Sequence, residues 1–159
     1  CMIIYTANLT IRKFKAGDEE EFYSLAHEEA VKEYVRYAYC KNLAQAKESV
    51  DDYIQGNCRD DFYLAVEKEG KMVGCIIAIR IKKTILDVSV LMGKKFRGQG
   101  IMKEAMEGFI EWLKENTKYC NLSIAIKQTN KSSLRLASKI GAEAYGIAND
   151  TYFLRIPLR

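Results

Sequence analysis

The sequence predicts an α/β domain, and three observations carry that reading. Its 159 residues are 48% hydrophobic and 29% charged, enough apolar surface for one substantial core and enough charge for a solvated exterior. Apolar spacing switches along the chain between a period of two and a period near 3.6. Strand-like and helix-like runs then interleave in the order β-α-α-β-β-β-α-β-α-β-β, with no internal repeat and no low-complexity stretch. Pro157 is the only proline, so no Pro-rich linker divides the chain, and residues 1–159 read as a single domain.

Each element has its own signal. Leu9 to Arg12 alternates like a strand, which Ile3 to Tyr5 extends. Gly17-Asp18-Glu19-Glu20-Glu21 starts a helix, with Asp18 as cap and Glu21 three positions on as in a capping box. Phe22, Leu25, Ala26 and Ala30 follow at helical spacing. A second helix runs from Leu43 to Ile54, its stripe made of Leu43, Ala46, Val50 and Ile54, and Gly56-Asn57 ends it. Strand-like runs come next at Phe62–Val66, Met72–Ile81 and Ile85–Met92, with turns at Glu69-Gly70 and Lys82-Lys83. Ile101, Ala105, Phe109 and Leu113 then recur every fourth residue, a helix. Asn121 to Ile126 alternates again, and Asn130 to Ile140 reads as a short helix closed by Gly141. Ala144–Ile147 and Thr151–Ile156 form a hairpin around Asn149-Asp150.

Composition narrows the function. A net charge of +4 is too mild to argue for nucleic acid, which needs a concentrated basic face. The five cysteines are odd in number and contain no C-x-x-C pair, and His27 is the only histidine; neither a disulfide framework nor a metal site is expected. No run is long and apolar enough for a bilayer, and Ile3–Tyr5 lacks the basic and apolar regions of a signal peptide. Unpaired thiols in such a chain predict a cytoplasmic protein. Cys1 stands before Met2, a natural initiator, and is assigned no function. Oligomeric state is left open, a homodimer included.

The informative stretch is Lys94-Lys95-Phe96-Arg97-Gly98-Gln99-Gly100-Ile101-Met102, which follows a strand and opens an amphipathic helix. Glycines let the backbone turn so that several N–H groups converge on one anion. The helix start adds unpaired donors and the positive end of a dipole, and Lys94, Lys95 and Arg97 bring formal charge. A di- or triphosphate is the natural ligand. Gly-x-x-x-x-Gly-Lys-Ser/Thr is absent, and Lys103 stands where a dinucleotide fingerprint needs its third glycine.

Lys95 to Gly100 resembles the Gln/Arg-x-x-Gly-x-Gly/Ala acetyl-CoA loop of the GNAT superfamily of N-acetyltransferases, with Lys95 at the first position. Asn130-Lys131-Ser132-Ser133 through Lys139-Ile140-Gly141-Ala142 is similar to a second segment of that superfamily, Ala142 replacing an aromatic residue. Met92 to Gly100 with Glu104-Ala105 is closest to the bacterial branch of ribosomal-protein N-terminal and spermidine acetyltransferases. The resemblance implies a mixed, mostly antiparallel central sheet flanked by helices. It implies acetyl-CoA as co-substrate, no metal, and a small-molecule or peptide amine as acceptor. It also implies a cofactor set: Leu91 and Met92 for the pantetheine arm, Phe96, and the loop Arg97, Gly98, Gln99, Gly100, Ile101 and Met102 for the pyrophosphate. Asn130 and Ser133 complete it near the acetyl end.

Acetyl transfer to an amine needs a proton removed, because a free alkyl amine has pKa ~10.4. Alternation along Ile85–Met92 puts Asp87 and Ser89 on one face and Leu86, Val88 and Val90 on the other, so Asp87 is the candidate base. The family's usual acid is a tyrosine where this chain has Ala137; Ser133 ranks first as its substitute, ahead of Tyr145, Tyr152 or a water. Tyr34, Tyr37 and Tyr39 cluster where the family forms an acceptor wall, but ordinary packing under a loop is the preferred reading of them. The reading is acetyl transfer by direct attack in a ternary complex. Ala137 and the lack of an obvious glutamate base favour, as the alternative, a silent acyl-CoA-binding sensor.

Overall fold

A computed structural model describes residues 2–159; Cys1 lies outside them. Eight strands form one sheet in the order β1-β2-β3-β4-β5-β6-β8-β7. They are β1 (Ile3–Tyr5), β2 (Thr10–Lys13), β3 (Phe62–Lys68), β4 (Lys71–Lys82), β5 (Ile85–Met92), β6 (Asn121–Lys127), β7 (Glu143–Ala148) and β8 (Thr151–Pro157). Every neighbouring pair is antiparallel except β5 and β6. The helices are α1 (Glu19–Ala26), α2 (Glu29–Tyr34), α3 (Leu43–Gly56), α4 (Ile101–Asn116) and α5 (Lys131–Lys139). Among the described residues no helix is long and apolar enough to cross a membrane.

The core has two layers because the sheet is apolar on both faces. Met102, Ala105, Met106, Phe109 and Leu113 of α4 bury against Ile11, Leu64, Ile76, Leu86 and Leu122. That is the stripe expected from its four-residue spacing. On the opposite face Phe22, Leu25, Val50 and Tyr53 of α1 and α3 cover Ala65, Cys75, Ile77 and Leu91. Alternation along β5 therefore holds: Leu86 and Val88 face α4, and Leu91 faces α1 and α3.

Three expectations are corrected. Ile3–Tyr5 does not extend the next strand but folds back on it, Ile4 pairing with Ile11. The capping box does not form. Asp18 sits at the cap position, but its carboxylate takes both guanidinium nitrogens of Arg12 at 2.9 Å and the Lys15 amide at 2.8 Å. Glu21 instead accepts from the Met72 amide at 2.7 Å. The first helix also stops at His27, so Ala30 belongs to a separate helix, α2, followed by a 3-10 turn at Arg36–Ala38.

Candidate active site

The site begins with a fork. β5 and β6 pair only at Ile85–Asn121, Leu86–Leu122 and Asp87–Ser123. Beyond that point β5 stays on β4 up to Met92, and β6 stays on β8 up to Lys127, so the two strands diverge. The Gly93 amide donates to Val73 O on β4 at 3.0 Å. In an antiparallel ladder, backbone groups of alternate residues point to alternate sides. Leu91 therefore turns its N–H and C=O toward β4, while Val90 and Met92 turn theirs toward the fork. Of the expected pair, only Met92 offers the fork a backbone group. Leu91 contributes a buried side chain to the wall, and Val90 takes the backbone place.

Below the fork lies the glycine loop. Gly98 and Gly100 have φ of +76° and +77°, the left-handed region that glycine enters without a Cβ penalty. The space where a Cβ would stand is open at both. Gly100 is the N-cap of α4 and leaves the helix start unblocked. Among the described residues the amides from Gly98 to Lys103 have no hydrogen-bond acceptor, whereas the Arg97 amide bonds to Lys94 O at 3.3 Å. A row of free donors at a helix N-terminus fits a diphosphate. The expected cradle thus starts at Gly98, one residue later than Arg97.

The charge comes from elsewhere. The Arg97 guanidinium is paired with Glu28 at 3.2 Å, and its Nε donates to Met92 O at 3.1 Å. Lys94 and Lys95 lie beside a different hollow, next to Ser24, Leu25 and Glu28, with Lys95 Nζ over the Phe96 ring. The Gln99 side chain folds back to Lys95 O. The groove of about 660 Å³ that runs from the loop past Phe96, Ile101 and Met102 to α5 is lined by the paired Arg97 and by four further cations, Lys103, Lys131, Arg135 and Lys139, with no carboxylate along it. Lys131, Arg135 and Lys139 recur every fourth residue on α5, a stripe legible in the sequence but missed.

Asn130 and Ser133 reach both this groove and a narrower pocket of about 50 Å³ inside the fork. Asn130 Oδ1 caps α5 by accepting the Ser133 amide at 3.3 Å, which leaves its side-chain NH₂ without a partner among the described residues. Ala137 lines the narrow pocket, so the position assigned to the usual tyrosine does face the site. Neither Tyr145 nor Tyr152 does: Tyr145 is exposed on β7 under Arg155, and Tyr152 packs beside Ile126.

Asp87 stands at the apex of the fork, half-buried. Burial raises its pKa above the ordinary aspartate value, and a hydrogen bond from Ser123 opposes the rise. It does not itself line the pocket; Ser89, two residues on along the same face, does. One tyrosine closes the far side. Tyr34 lines both cavities and donates to Thr129 Oγ1 at 3.0 Å. Burial of the Tyr37 hydroxyl raises its pKa to about 12, and its hydrogen bond with Ser89 opposes that, although 59% of the residue is accessible. Tyr34 thus lines both cavities, whereas Tyr37 lines neither and borders the pocket only through Ser89.

Comparison with known proteins bears on this geometry. A family model described as an acetyltransferase (GNAT) domain matches residues 8–143. No curated protein matches the chain. Among solved structures, a GNAT-family acetyltransferase from Bacillus anthracis superposes with TM-score 0.85 at 18% identity, covering 99% of both chains. RimL, a ribosomal alpha-N-protein acetyltransferase in complex with coenzyme A, gives 0.86 at 14% identity over 98% of both chains. The spermidine N-acetyltransferase from Vibrio cholerae, with CoA and spermine, gives 0.81 at 15% identity over 96% of this chain and 97% of its own.

Proposed function

The chain belongs to the GNAT acetyltransferase family, and from that premise we propose that it moves acetyl from acetyl-CoA to a primary amine by direct attack with both substrates bound. As a member it is an acetyl-CoA-dependent acyltransferase. The observation that carries the finer reading is one continuous path. The unpartnered amides of Gly98 to Lys103 open into a cationic groove, and the groove leads into the fork between β5 and β6. The acceptor is a protein N-terminus or a small amine, as the names of the alpha-N-protein and spermidine enzymes suggest for similar folds.

Acetyl-CoA supplies the activated acyl group and a thiol leaving group. The chain's residues divide the remaining work. The amides from Gly98 to Met102 bind the diphosphate, and Lys103, Lys131, Arg135 and Lys139 neutralise it. Fork-facing backbone of Val90 and Met92, with the free amide NH₂ of Asn130, orients the arm. Ser133 donates a hydrogen bond at the acyl end. Asp87 takes up the amine proton by way of Ser89; its raised pKa makes it a better base than an exposed aspartate. Free thiols at Cys40, Cys58, Cys75 and Cys120 support a cytoplasmic setting.

Release of free CoA thiol over a panel of peptide N-termini and polyamines tests the proposal, alongside calorimetry with acetyl-CoA. Binding below millimolar concentration and an amine-dependent rate are expected. No binding at millimolar acetyl-CoA would overturn it.

A further inference from the structure

Transfer to an amine expels a thiolate, and this inference rests on the acetyl-transfer reading above. An alkyl thiol has pKa ~8.5, so at neutral pH the departing sulfur collects a proton, and a positioned acid speeds that step. The narrow pocket inside the fork contains no Lys, His, Cys, Asp or Glu in its lining. Its side-chain O–H donors are Ser89, Ser133 and Tyr34. Of these only Tyr34 carries a phenol, by chemical class a far stronger acid than the aliphatic hydroxyl of a serine. We propose that Tyr34 is the general acid that protonates the leaving sulfur.

The placement supports this in three ways. Tyr34 lines both the narrow pocket and the cationic groove, so it stands where the arm must pass from one to the other. Its hydroxyl is bonded to Thr129 Oγ1 at 3.0 Å. Thr129 is a hydroxyl, and so accepts from the phenol at rest and donates to the phenolate after transfer. The helix that carries Tyr34 is also held at both ends. Glu28 accepts the Lys94 amide at 3.1 Å before it, and Lys127 Nζ donates to Glu33 O at 3.4 Å near its end. Across the pocket Ala137 contributes only a methyl group, which leaves room for a phenol entering from α2.

The step balances. The amine nitrogen bonds to the carbonyl carbon, and the C–S bond breaks with its electron pair going to sulfur. The Tyr34 O–H proton passes to that sulfur to give the thiol. The amine loses one proton to Asp87, and solvent exchange, through Thr129 on one side and Ser89 on the other, returns Tyr34 and Asp87 to their starting forms.

The test compares acetyl-CoA with phenyl thioacetate, whose more acidic thiol leaves without protonation. Tyr34→Phe should lower kcat with acetyl-CoA about 100-fold or more, move KM little, and cost far less with phenyl thioacetate. Thr129→Val, which removes the anchor and keeps the phenol, should cost much less than Tyr34→Phe. A second readout needs no turnover: ultraviolet absorbance of the thiolate of bound CoA, followed against pH. A phenol hydrogen-bonded to the sulfur stabilises the thiolate, so Tyr34→Phe should raise the pKa of bound CoA. Equal losses with both donors, an unchanged titration of bound CoA, or an equal loss in Thr129→Val would overturn the assignment. Leaving-group dependence appearing in Ser133→Ala instead would give the proton to Ser133. If the unaltered protein binds acetyl-CoA and acetylates no amine, the transfer reading fails, and the titration of bound CoA still decides whether Tyr34 meets the sulfur.

Discussion

Glu28 holds Arg97. Its carboxylate takes the guanidinium at 3.2 Å and the Lys94 amide at 3.1 Å, while Arg97 Nε donates to the fork-facing carbonyl of Met92 at 3.1 Å. The cation that the sequence offers to a phosphate is therefore used to fasten three elements together. These are the start of α2, the end of β5 and the loop before α4. The guanidinium thereby ties the fork and the cradle to α2.

A double-mutant cycle on this pair separates bracing from direct phosphate contact. The ion pair is only partly buried and contributes ~1 kcal/mol or less by itself. Glu28→Gln and Arg97→Ala should each weaken acetyl-CoA binding a few-fold, and the double variant should bind about as well as either single one. An Arg97→Ala loss that stays full in the Glu28→Gln background would place the guanidinium on the ligand.

Gly100 is required for its φ and for the space beside it, and two substitutions separate these. Any Cβ at φ +77° is strained by ~1–2 kcal/mol, though nothing in the protein lies within 4 Å of it. Asparagine tolerates that region best among side-chain residues. Gly100→Asn should keep most of the melting temperature yet lose acetyl-CoA affinity, because its side chain enters the space open to phosphate oxygens. Binding of a pantetheine thioester without the diphosphate should be spared. Equal weakening of both ligands in a folded protein would move the cradle off this loop.

Asp87 makes a signed prediction in pH. Burial raises its pKa in the folded state, so the native protein binds more protons than the unfolded chain between the ordinary and the raised value. Stability consequently falls as pH rises through that window. Asp87→Asn should be neutral or stabilising above it while turnover drops. Ser123→Ala removes the hydrogen bond that opposes the rise, which should carry the acidic limb of the rate profile to higher pH. A limb unmoved by Ser123→Ala would show that another group titrates.

What was legible in the sequence follows from how local each signal is. The glycine loop, the α4 stripe and the β5 alternation are written in adjacent residues, and all three stand in the structure. The break between α1 and α2 is not marked by glycine or proline. It is made by Cys40 reaching back to Ala26 O and Glu28 turning toward the loop, both long-range contacts. Asp18 misled for the same reason: a local cap lost to Arg12, which β2 supplies. Tyr34 showed in the sequence only as one of three clustered tyrosines, because its place between pocket and groove depends on that unrecognised helix, whereas the α5 cations were visible at four-residue spacing and went unread.

Asn130 carries two roles on one amide, and substitution can part them. Its Oδ1 caps α5 through the Ser133 amide at 3.3 Å, and its NH₂ has no protein partner among the described residues. Asn130→Ala removes both, costing ~1 kcal/mol of stability for the cap. Asn130→Asp keeps an acceptor for the Ser133 amide, and a carboxylate suits the helix start, but the NH₂ donor is gone. If that donor holds the cofactor arm, Asn130→Asp should retain the melting temperature and lose acetyl-CoA affinity by roughly ten-fold, the scale of one hydrogen bond left unmade. Calorimetry and thermal unfolding on the two variants read the parts separately. Unchanged affinity in Asn130→Asp would leave Asn130 as a helix cap alone and hand the orientation of the arm to the backbone of Val90 and Met92.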